Sequence, residues 1–194
     1  PCVKGVAENG MPWALTYIAV RDELLFIGGM GGSFDDVVGS ALRRFPRAER
    51  FVVATSPGGL ERGVARAARR LNRHAVAVRI DGDCASACAL LWALADSRQA
   101  MPKGRIGLHA GRPDEKVPAW LRGAAASRSG VRFERALRNA GFPPCTIARG
   151  MATPHERIYW IDASSMQRLG VKFDTIGPGV LSGPGSGRPR APQS

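Results

Sequence analysis

Two hydrophobic periods alternate along the first half of the chain. Short apolar runs bounded by turn residues predict strands, and apolar residues that recur every three or four positions predict helices. The predicted strands cover 14–20, 23–27, 51–55, 75–80 and 105–109, and the predicted helices cover 34–45, 60–71 and 86–95. Strands that alternate with helices in this way indicate an α/β fold with parallel crossovers.

The pattern weakens after residue 110. We expect a mobile arm at 111–129 and then three helices, at about 131–140, 144–151 and 163–169. Asp162 is expected to cap the last of these helices, and Gly170 is expected to close it.

Composition bounds the class of protein. The 194 residues are 44% hydrophobic and 23% charged, which is typical of a globular domain. No apolar run approaches the roughly 18 residues that suggest a transmembrane helix.

We expect one domain at 1–176 and a flexible tail, rich in Gly, Pro and Ser, at 177–194. Because the chain begins at Pro1, we expect a signal segment or a membrane anchor to precede it.

The chain is basic, with 28 Lys and Arg residues against 16 Asp and Glu residues and a net charge of +12. One face of the predicted helix at 60–71 and the residues after it carry five of the arginines: Arg62, Arg66, Arg69, Arg70 and Arg73. That face lacks interleaved aromatic residues and any nucleic-acid-binding motif. We therefore expect a solvated face or a subunit contact there, and no nucleic-acid partner.

The segment 82–88, Gly-Asp-Cys-Ala-Ser-Ala-Cys, is the strongest candidate for chemistry. It links the end of a strand to the all-apolar helix 86–95, which we expect in the centre of the domain. Ser86 falls in the first turn of that helix, where unpaired N–H groups can stabilise an oxyanion while the hydroxyl attacks. This is the logic of a nucleophile elbow, with cysteines where that motif has glycines. The alternative is a serine that only caps the helix.

Two further segments bear on this hypothesis. Ser-Pro-Gly-Gly at 56–59 also follows a buried strand, and Gly58 and Gly59 can present N–H groups to a carbonyl without obstruction. Taken alone, Ser-Pro-Gly-Gly is a turn between a strand and a helix.

His109 lies at the end of an apolar strand, 23 residues after Ser86, a gap that fits a helix, a turn and a returning strand. A lone histidine there is usually structural, but beside an exposed serine it is a candidate general base.

Five short motifs, in this order and spacing, resemble the ClpP serine peptidases and most closely their exported, periplasmic ClpP-like relatives. They are Asp-Glu-Leu-Leu-Phe-Ile-Gly-Gly (22–29), Ser-Pro-Gly-Gly (56–59), Cys-Ala-Ser-Ala-Cys (84–88), Arg-x-Ala-x-Pro (98–102) and Gly-Leu-His (107–109). The resemblance covers about 20–110 well and 155–176 more weakly. It implies a single domain with a ClpP/crotonase fold of stacked ββα units.

The resemblance also implies a mechanism. Ser86 matches the family's nucleophile, His109 its general base, and the backbone N–H groups of Gly59 and Ala87 its oxyanion hole. The reaction implied is hydrolysis of peptide bonds in a peptide or unfolded protein through an acyl-enzyme, without a metal or cofactor. Subunits of this fold usually associate, so the resemblance implies a homo-oligomer.

The sequence departs from the family at the third catalytic position. The family has an aspartate ahead of the final short helix, but the matching window, Thr153–His155, contains none. Glu156 is the nearest carboxylate, and Asp162 is expected to cap a helix. This leaves three options for orienting His109, namely a backbone carbonyl, Glu156 or no group at all, and an imidazolium without a partner makes a weaker catalyst.

The four cysteines, Cys2, Cys84, Cys88 and Cys145, do not have the spacing of a zinc site. Two disulfides or free thiols remain open. Cys84 and Cys88 are one candidate pair, since residues four apart in a helix come close to bridging range, and Cys2 and Cys145 are the other. Such cysteines fit an oxidising compartment, so we expect a periplasmic or otherwise extracytoplasmic bacterial location.

Other functions stay open at this point. One is an inactive ClpP-like scaffold or binding protein, and another is a serine acyl hydrolase of esterase type. A crotonase-type enzyme would need a surface for coenzyme A, which the sequence does not reveal. A small α/β-hydrolase would have the order Ser…Asp…His, ending at His155, but the usual Gly-x-Ser-x-Gly is missing.

Overall fold

The computed structural model describes residues 2–111 and 119–176, and describes only the backbone of 119–129. These ranges contain ten strands and six α-helices. The strands are β1 (Cys2–Val6), β2 (Pro12–Ile18), β3 (Glu23–Met30), β4 (Arg50–Gly59), β5 (Ala77–Ile80), β6 (Asp83–Ala85), β7 (Arg98–Ala100), β8 (Arg105–Leu108), β9 (Tyr159–Asp162) and β10 (Asp174–Thr175). The helices are α1 (Phe34–Arg44), α2 (Glu61–Arg73), α3 (Ala87–Leu94), α4 (Ala119–Ala140), α5 (Pro144–Met151) and α6 (Ala163–Arg168).

The sheet is mostly parallel, as the alternation of strands and helices predicts. Its main path runs β1-β2-β3-β4-β5-β7-β10, with antiparallel pairing from β1 to β3 and parallel pairing from β3 onward. A second layer branches from β4, where Ser56 pairs with Cys84 of β6. Strand β8 runs parallel to β6, and β9 runs antiparallel to β8. Strand β4 therefore connects both layers.

The segment Ser56–Gly59 differs from the expected turn between a strand and a helix. Strand β4 continues through Gly59, because Gly58 and Gly59 pair with Gly29 and Met30 of β3. The Leu60 N–H then donates to the Met30 carbonyl at 2.8 Å, and α2 begins at the next residue. Proline and glycine end most strands locally, but here pairing with a neighbouring strand extends this one.

Helix α3 lies in the centre of the domain, as its uniformly apolar sequence predicts. Residues 87–93 are all at most 3% exposed. The single polar group of Trp92 is satisfied, since its Nε1–H donates to the Gln99 carbonyl at 2.9 Å. The start of this helix is thus fixed from all sides by packed side chains.

Helix α6 begins and ends at the residues that the sequence predicts. Asp162 caps α6, with its carboxylate accepting the Ser165 N–H at 2.7 Å, and Gly170 has a φ of 79° just beyond the helix. Both predictions are confirmed. The hydrogen bond from the Ser165 N–H is the main reason that the pKa of Asp162 is lowered.

The arginine-rich face of α2 is solvated, as expected, since four of its five arginines are exposed and Arg70 is half-buried. Three of its arginines form ion pairs within the chain: Arg62 with Glu8, Arg66 with Asp35, and Arg70 with Asp35 and Asp36. The Arg66–Asp35 contact is 2.8 Å, and the Asp35 side chain is 6% exposed. These arginines therefore attach α2 to α1 and to the turn after β1.

The predicted arm at 111–129 is largely replaced by a helix. Residues 112–118 lie outside the described residues, and from Ala119 the chain belongs to α4, which runs to Ala140 and includes the helix expected at 131–140. The predicted tail at 177–194 also lies outside them, so the division of the chain into domain and tail stays a prediction. No helix in the described part is long and apolar enough to span a bilayer.

Candidate active site

Ser86 occupies a strained turn between β6 and α3. Its φ of 54° and ψ of −123° lie in a region that residues with a side chain rarely adopt. Its N–H donates to the Gly107 carbonyl of β8 at 2.8 Å, which fixes the turn to the neighbouring strand. The side chain makes no capping hydrogen bond to α3, although Ser86 stands at the N-cap position. The hydroxyl of a half-buried residue is thus left uncommitted at the start of a helix.

Gly58 lies directly against this turn. A Cβ built on Gly58 would be 2.5 Å from the Ala85 carbonyl oxygen and 2.8 Å from both Ala87 N and Ser86 Cβ. Gly58 also has a φ of 92°. Only glycine therefore lets the backbone of β4 approach the first turn of α3 so closely.

The buried hydroxyl of Ser56 holds the same stretch of backbone. It donates to the Gly28 carbonyl at 2.7 Å and accepts the Gly58 N–H at 3.1 Å. Gly59 follows with a φ of 148°, and a Cβ there would overlap the Met30 carbonyl oxygen. The Gly58–Gly59 backbone is thus fixed next to Ser86 and the Ala87 N–H.

His109 reaches the site from the neighbouring strand. Strands β6 and β8 are parallel, with Ala85 opposite Gly107, so Ser86 and His109 both follow the carboxyl ends of adjacent strands. This is the return predicted from their separation in sequence. Across the described ranges, no hydrogen bond joins the Ser86 hydroxyl to His109. Catalytic hydrogen bonds are often long in the absence of substrate.

A backbone carbonyl orients the imidazole of His109. The His109 Nδ1 lies 2.7 Å from the carbonyl oxygen of Ala110. Because a carbonyl only accepts, Nδ1 carries the proton, and Nε2 of the neutral ring is left as the acceptor that a general base needs. Of the three options open from the sequence, the structure shows the backbone carbonyl.

The other candidates for the third position do not reach His109. Glu156 is exposed and, within the part of the chain that the structure describes, makes no hydrogen bond or ion pair. Asp162 caps α6. The ring of His155 instead packs edge-to-face on His109, with centroids 4.9 Å apart and an interplanar angle of 75°. The sequence placed His155 in the window of the missing aspartate, but did not identify it as part of this site.

A disulfide joins Cys84 to Cys88 across the candidate nucleophile. Their Cα atoms are 5.1 Å apart, and both residues are fully buried. This predicted pair is therefore present. The second predicted pair, Cys2–Cys145, is wrong, because Cys2 on β1 and Cys145 at the start of α5 are both exposed free thiols. Among the residues described, no three His, Cys, Asp or Glu side chains are grouped as a metal site would need.

An ion pair fixes the opposite end of the two strands that carry Ser86 and His109. Asp83 of β6 and Arg105 of β8 are opposite each other, and the guanidinium bonds both carboxylate oxygens, at 2.5 and 2.9 Å. The hydrogen bond from Arg105 lowers the pKa of Asp83. Arg105 also lies over the ring of Trp160 on β9, with 4.3 Å from Cζ to the centroid. The pair fixes the register of the strands on which the site depends.

Comparison with known proteins supports the fold. No family model matches the chain, and no curated protein sequence matches it. Among solved structures, the chain is similar to a point mutant of ClpP1 from Listeria monocytogenes, with a TM-score of 0.62 and 16% sequence identity. The match covers 83% of this chain and 94% of that chain. An identity this low shows the fold alone, so the chain is a mixed α/β domain with a ClpP-like fold, as the sequence motifs predict.

Proposed function

We propose that the protein is a serine peptidase that hydrolyses peptide bonds through an acyl-enzyme. Ser86 is the nucleophile, His109 is the general base, and the N–H groups of Gly59 and Ala87 form the oxyanion hole. The observation that carries this proposal is the backbone of Ser86, which has a positive φ at the start of a buried helix and a hydroxyl that does not cap that helix.

This strain argues against a purely structural serine. A non-glycine residue in a sparsely populated region costs about 1–3 kcal/mol and persists only where the surroundings impose it. A capping serine would offset part of that cost with a hydrogen bond to the helix, and Ser86 makes none. Glycine would fit the same turn with less strain. The presence of serine is explained if its hydroxyl acts on a substrate.

The proposed reaction proceeds in two stages. His109 Nε2 takes the proton of the Ser86 hydroxyl while Oγ forms a bond to the peptide carbonyl carbon, and the two N–H groups stabilise the resulting oxyanion. The C–N bond then breaks, and His109 gives its proton to the leaving amine. A water molecule next attacks the carbonyl carbon of the acyl-enzyme while His109 accepts its proton. The bond between that carbon and Ser86 Oγ then breaks, His109 returns the proton to Oγ, and the carboxylic acid product leaves. Serine and histidine are regenerated unchanged.

The carbonyl of Ala110 determines how well His109 serves in this scheme. Its hydrogen bond selects the tautomer that has a free Nε2, which is one of the two roles of the aspartate in a triad. It lacks the negative charge that stabilises an imidazolium, which is the other role. We therefore expect a slower acylation step than in an enzyme with a buried carboxylate at this position.

Peptides or unfolded proteins are the proposed substrates, and we propose a homo-oligomer in an extracytoplasmic compartment of a bacterium. The Cys84–Cys88 disulfide supports the compartment, because such bonds persist in oxidising surroundings. The resemblance to exported ClpP-like proteins in the sequence motifs supports the substrate class and the assembly.

Labelling with a fluorophosphonate probe, followed by intact-mass measurement, tests the proposal. We expect one adduct on the wild type, none on Ser86→Ala, and at least 100-fold slower labelling of His109→Ala, which loses the general base. Ser33→Ala is the matched control, because Ser33 is also an N-cap serine without a capping bond but has an ordinary φ of −91°. It should be labelled like the wild type.

Two results would contradict the proposal. Folded wild-type protein that takes up no probe would indicate a ClpP-like scaffold without activity, and labelling that persists in Ser86→Ala would place the nucleophile elsewhere. Turnover of a fluorogenic peptide and of a p-nitrophenyl ester then separates the two classes of acyl hydrolase. Cleavage of the ester alone would favour the esterase alternative.

A further inference from the structure

We infer that His155 is a positioning residue for His109, holding the imidazole of the general base in the orientation that leaves Nε2 free. This inference rests on the proposed function of Ser86 and His109. It assigns a role to the edge-to-face contact of the two rings, whose centroids are 4.9 Å apart.

The loop that carries His155 is anchored to the segment that follows β8 and contains His109. The Ala110 N–H donates to the Thr153 carbonyl at 2.7 Å, and the Thr153 hydroxyl donates to the Arg149 carbonyl at 2.9 Å. The same loop therefore connects β8 to the end of α5. His155 comes two residues after Thr153, so its ring has a fixed place relative to His109.

Close packing around the loop restricts it further. A Cβ on Gly150 of α5 would lie 2.6 Å from the Leu108 side chain, and one on Gly107 would lie 2.6 Å from the Ile158 side chain. These two glycines allow α5 and the start of β9 to approach β8 without a gap. A displacement of His155 away from His109 would require the whole loop to move.

His155 lacks the hydrogen bond expected of a structural histidine. Its Nδ1 is buried and has no partner within the described part of the protein. A buried polar atom without a partner is rare and destabilising, so its presence calls for an explanation. The ring contact with His109 is the interaction that the structure does show for this side chain.

Packing restricts the rotation of the His109 ring, which its hydrogen bond alone does not. One hydrogen bond to the Ala110 carbonyl fixes Nδ1, but it does not prevent the ring from flipping and breaking that bond. An edge-to-face neighbour blocks this rotation, and such ring pairs shift an equilibrium by about 2- to 10-fold. His155 thus supplies by packing part of the orientation that a carboxylate supplies by charge.

Three variants separate the ring contact from the nitrogen atoms. His155→Ala removes both, His155→Phe keeps an aromatic ring in place, and His74→Ala is a control for an exposed histidine at the end of α2. The first readout is the maximal rate of labelling by the fluorophosphonate at saturating probe. We expect His155→Ala to lower this rate by about 2- to 10-fold without changing the half-saturating probe concentration, and His155→Phe to restore most of it.

The second readout does not depend on activity. Imidazole nitrogen chemical shifts, measured by NMR in a Ser86→Ala background, report which nitrogen of His109 carries the proton. We expect a single Nδ1–H form with His155 present or with the His155→Phe substitution, and a mixture of the two tautomers in His155→Ala. Unchanged tautomers together with unchanged labelling would overturn the inference. If the wild type takes up no probe, the proposed function fails, and the NMR result alone decides whether His155 positions His109.

Discussion

The disulfide between Cys84 and Cys88 spans Ser86 and ties the end of β6 to the first turn of α3. It closes a ring of five residues, and closing so short a loop is expected to stabilise the fold by about 2 kcal/mol. We predict that Cys84→Ala/Cys88→Ala lowers the free energy of unfolding by about this amount in urea. It should also slow the labelling of Ser86 under conditions in which both proteins are folded, because the turn is no longer closed covalently.

The matched control for the disulfide is Cys2→Ala/Cys145→Ala, which removes the two exposed thiols. It should change neither the unfolding midpoint nor the labelling rate. Equal labelling by wild type and Cys84→Ala/Cys88→Ala would show that packing alone holds Ser86 in its strained conformation.

Alkylation counts the free thiols of the protein directly. Protein purified without reductant should add two equivalents of an alkylating reagent, at Cys2 and Cys145, and four after denaturation with reductant. The Cys84 and Cys88 sulfurs are buried, so a mild reductant without denaturant should leave the count at two. Intact-mass measurement decides between these values. Four alkylated thiols in the native, unreduced protein would contradict the disulfide.

The strain at Ser86 predicts a stability difference between two inactive variants. Ser86→Gly should be more stable than Ser86→Ala by about 1 kcal/mol, because glycine adopts a φ of 54° without a steric penalty and alanine does not. Urea unfolding of both proteins measures the difference. The same pair of substitutions at Ser33, an N-cap position with a φ of −91°, should give glycine only the smaller advantage that it has over alanine at N-caps. Equal stability of the two Ser86 variants would mean that the turn is not strained.

Gly58 should tolerate no side chain. In Gly58→Ala the new methyl group meets the Ala85 carbonyl at 2.5 Å, at a φ of 92° that alanine disfavours. We expect the free energy of unfolding to fall by about 2 kcal/mol or more. We also expect Ser86 labelling to be lost, because the turn between β6 and α3 must move to make room for the methyl group. Gly111→Ala is the control, because a Cβ there has no neighbour within 4 Å among the residues that the structure describes. A fully labelled Gly58→Ala would show that the backbone at 58–59 does not contribute to the site.

The buried carboxylate of Asp35 should make stability depend on acid pH. The hydrogen bond from Arg66 lowers its pKa from the ordinary 3.8, so its contribution is complete above that value and is lost as the pH falls through the lower, folded value. Asp35→Asn should therefore be less stable than the wild type at pH 7, and the two should converge well below pH 4. Thermal unfolding from pH 7 to pH 2 measures this. A difference that stays constant over the whole range would contradict the assignment.

The local pattern of hydrophobic residues predicts those helices and strands that bury a continuous apolar face. Helix α3 could be placed because every position of 87–94 is apolar, and α2 because its apolar residues recur at helical spacing. Strand β6 could not be placed, since Asp-Cys-Ala has no period that distinguishes a strand from a turn. The local pattern does not predict the extension of β4 through Pro57, because its pairing partners, Gly29 and Met30, lie about 30 residues away.

The residues of the candidate site also divide into those that local sequence features indicate and those that depend on tertiary contacts. The motifs indicated Ser86, His109 and Gly59, because small residues after buried strands are local features of the sequence. No local feature of the sequence indicates the Ala110 carbonyl or the ring of His155. A backbone acceptor is available at every residue, and a single histidine among loop residues belongs to no hydrophobic period. Both contacts arise from the meeting of β8 with the loop after α5.

An α/β domain with a buried central helix, a small-residue turn at its start and a pair of cysteines around that turn can be inferred from the order of the residues alone. These properties follow from hydrophobic periodicity and chain stereochemistry, which act over a few residues. The folded structure is needed to show that Ser86 is strained rather than capping, that a carbonyl orients His109, and that His155 lies beside it. These depend on contacts between residues far apart in the chain, whose geometry is determined by the packing of the whole domain.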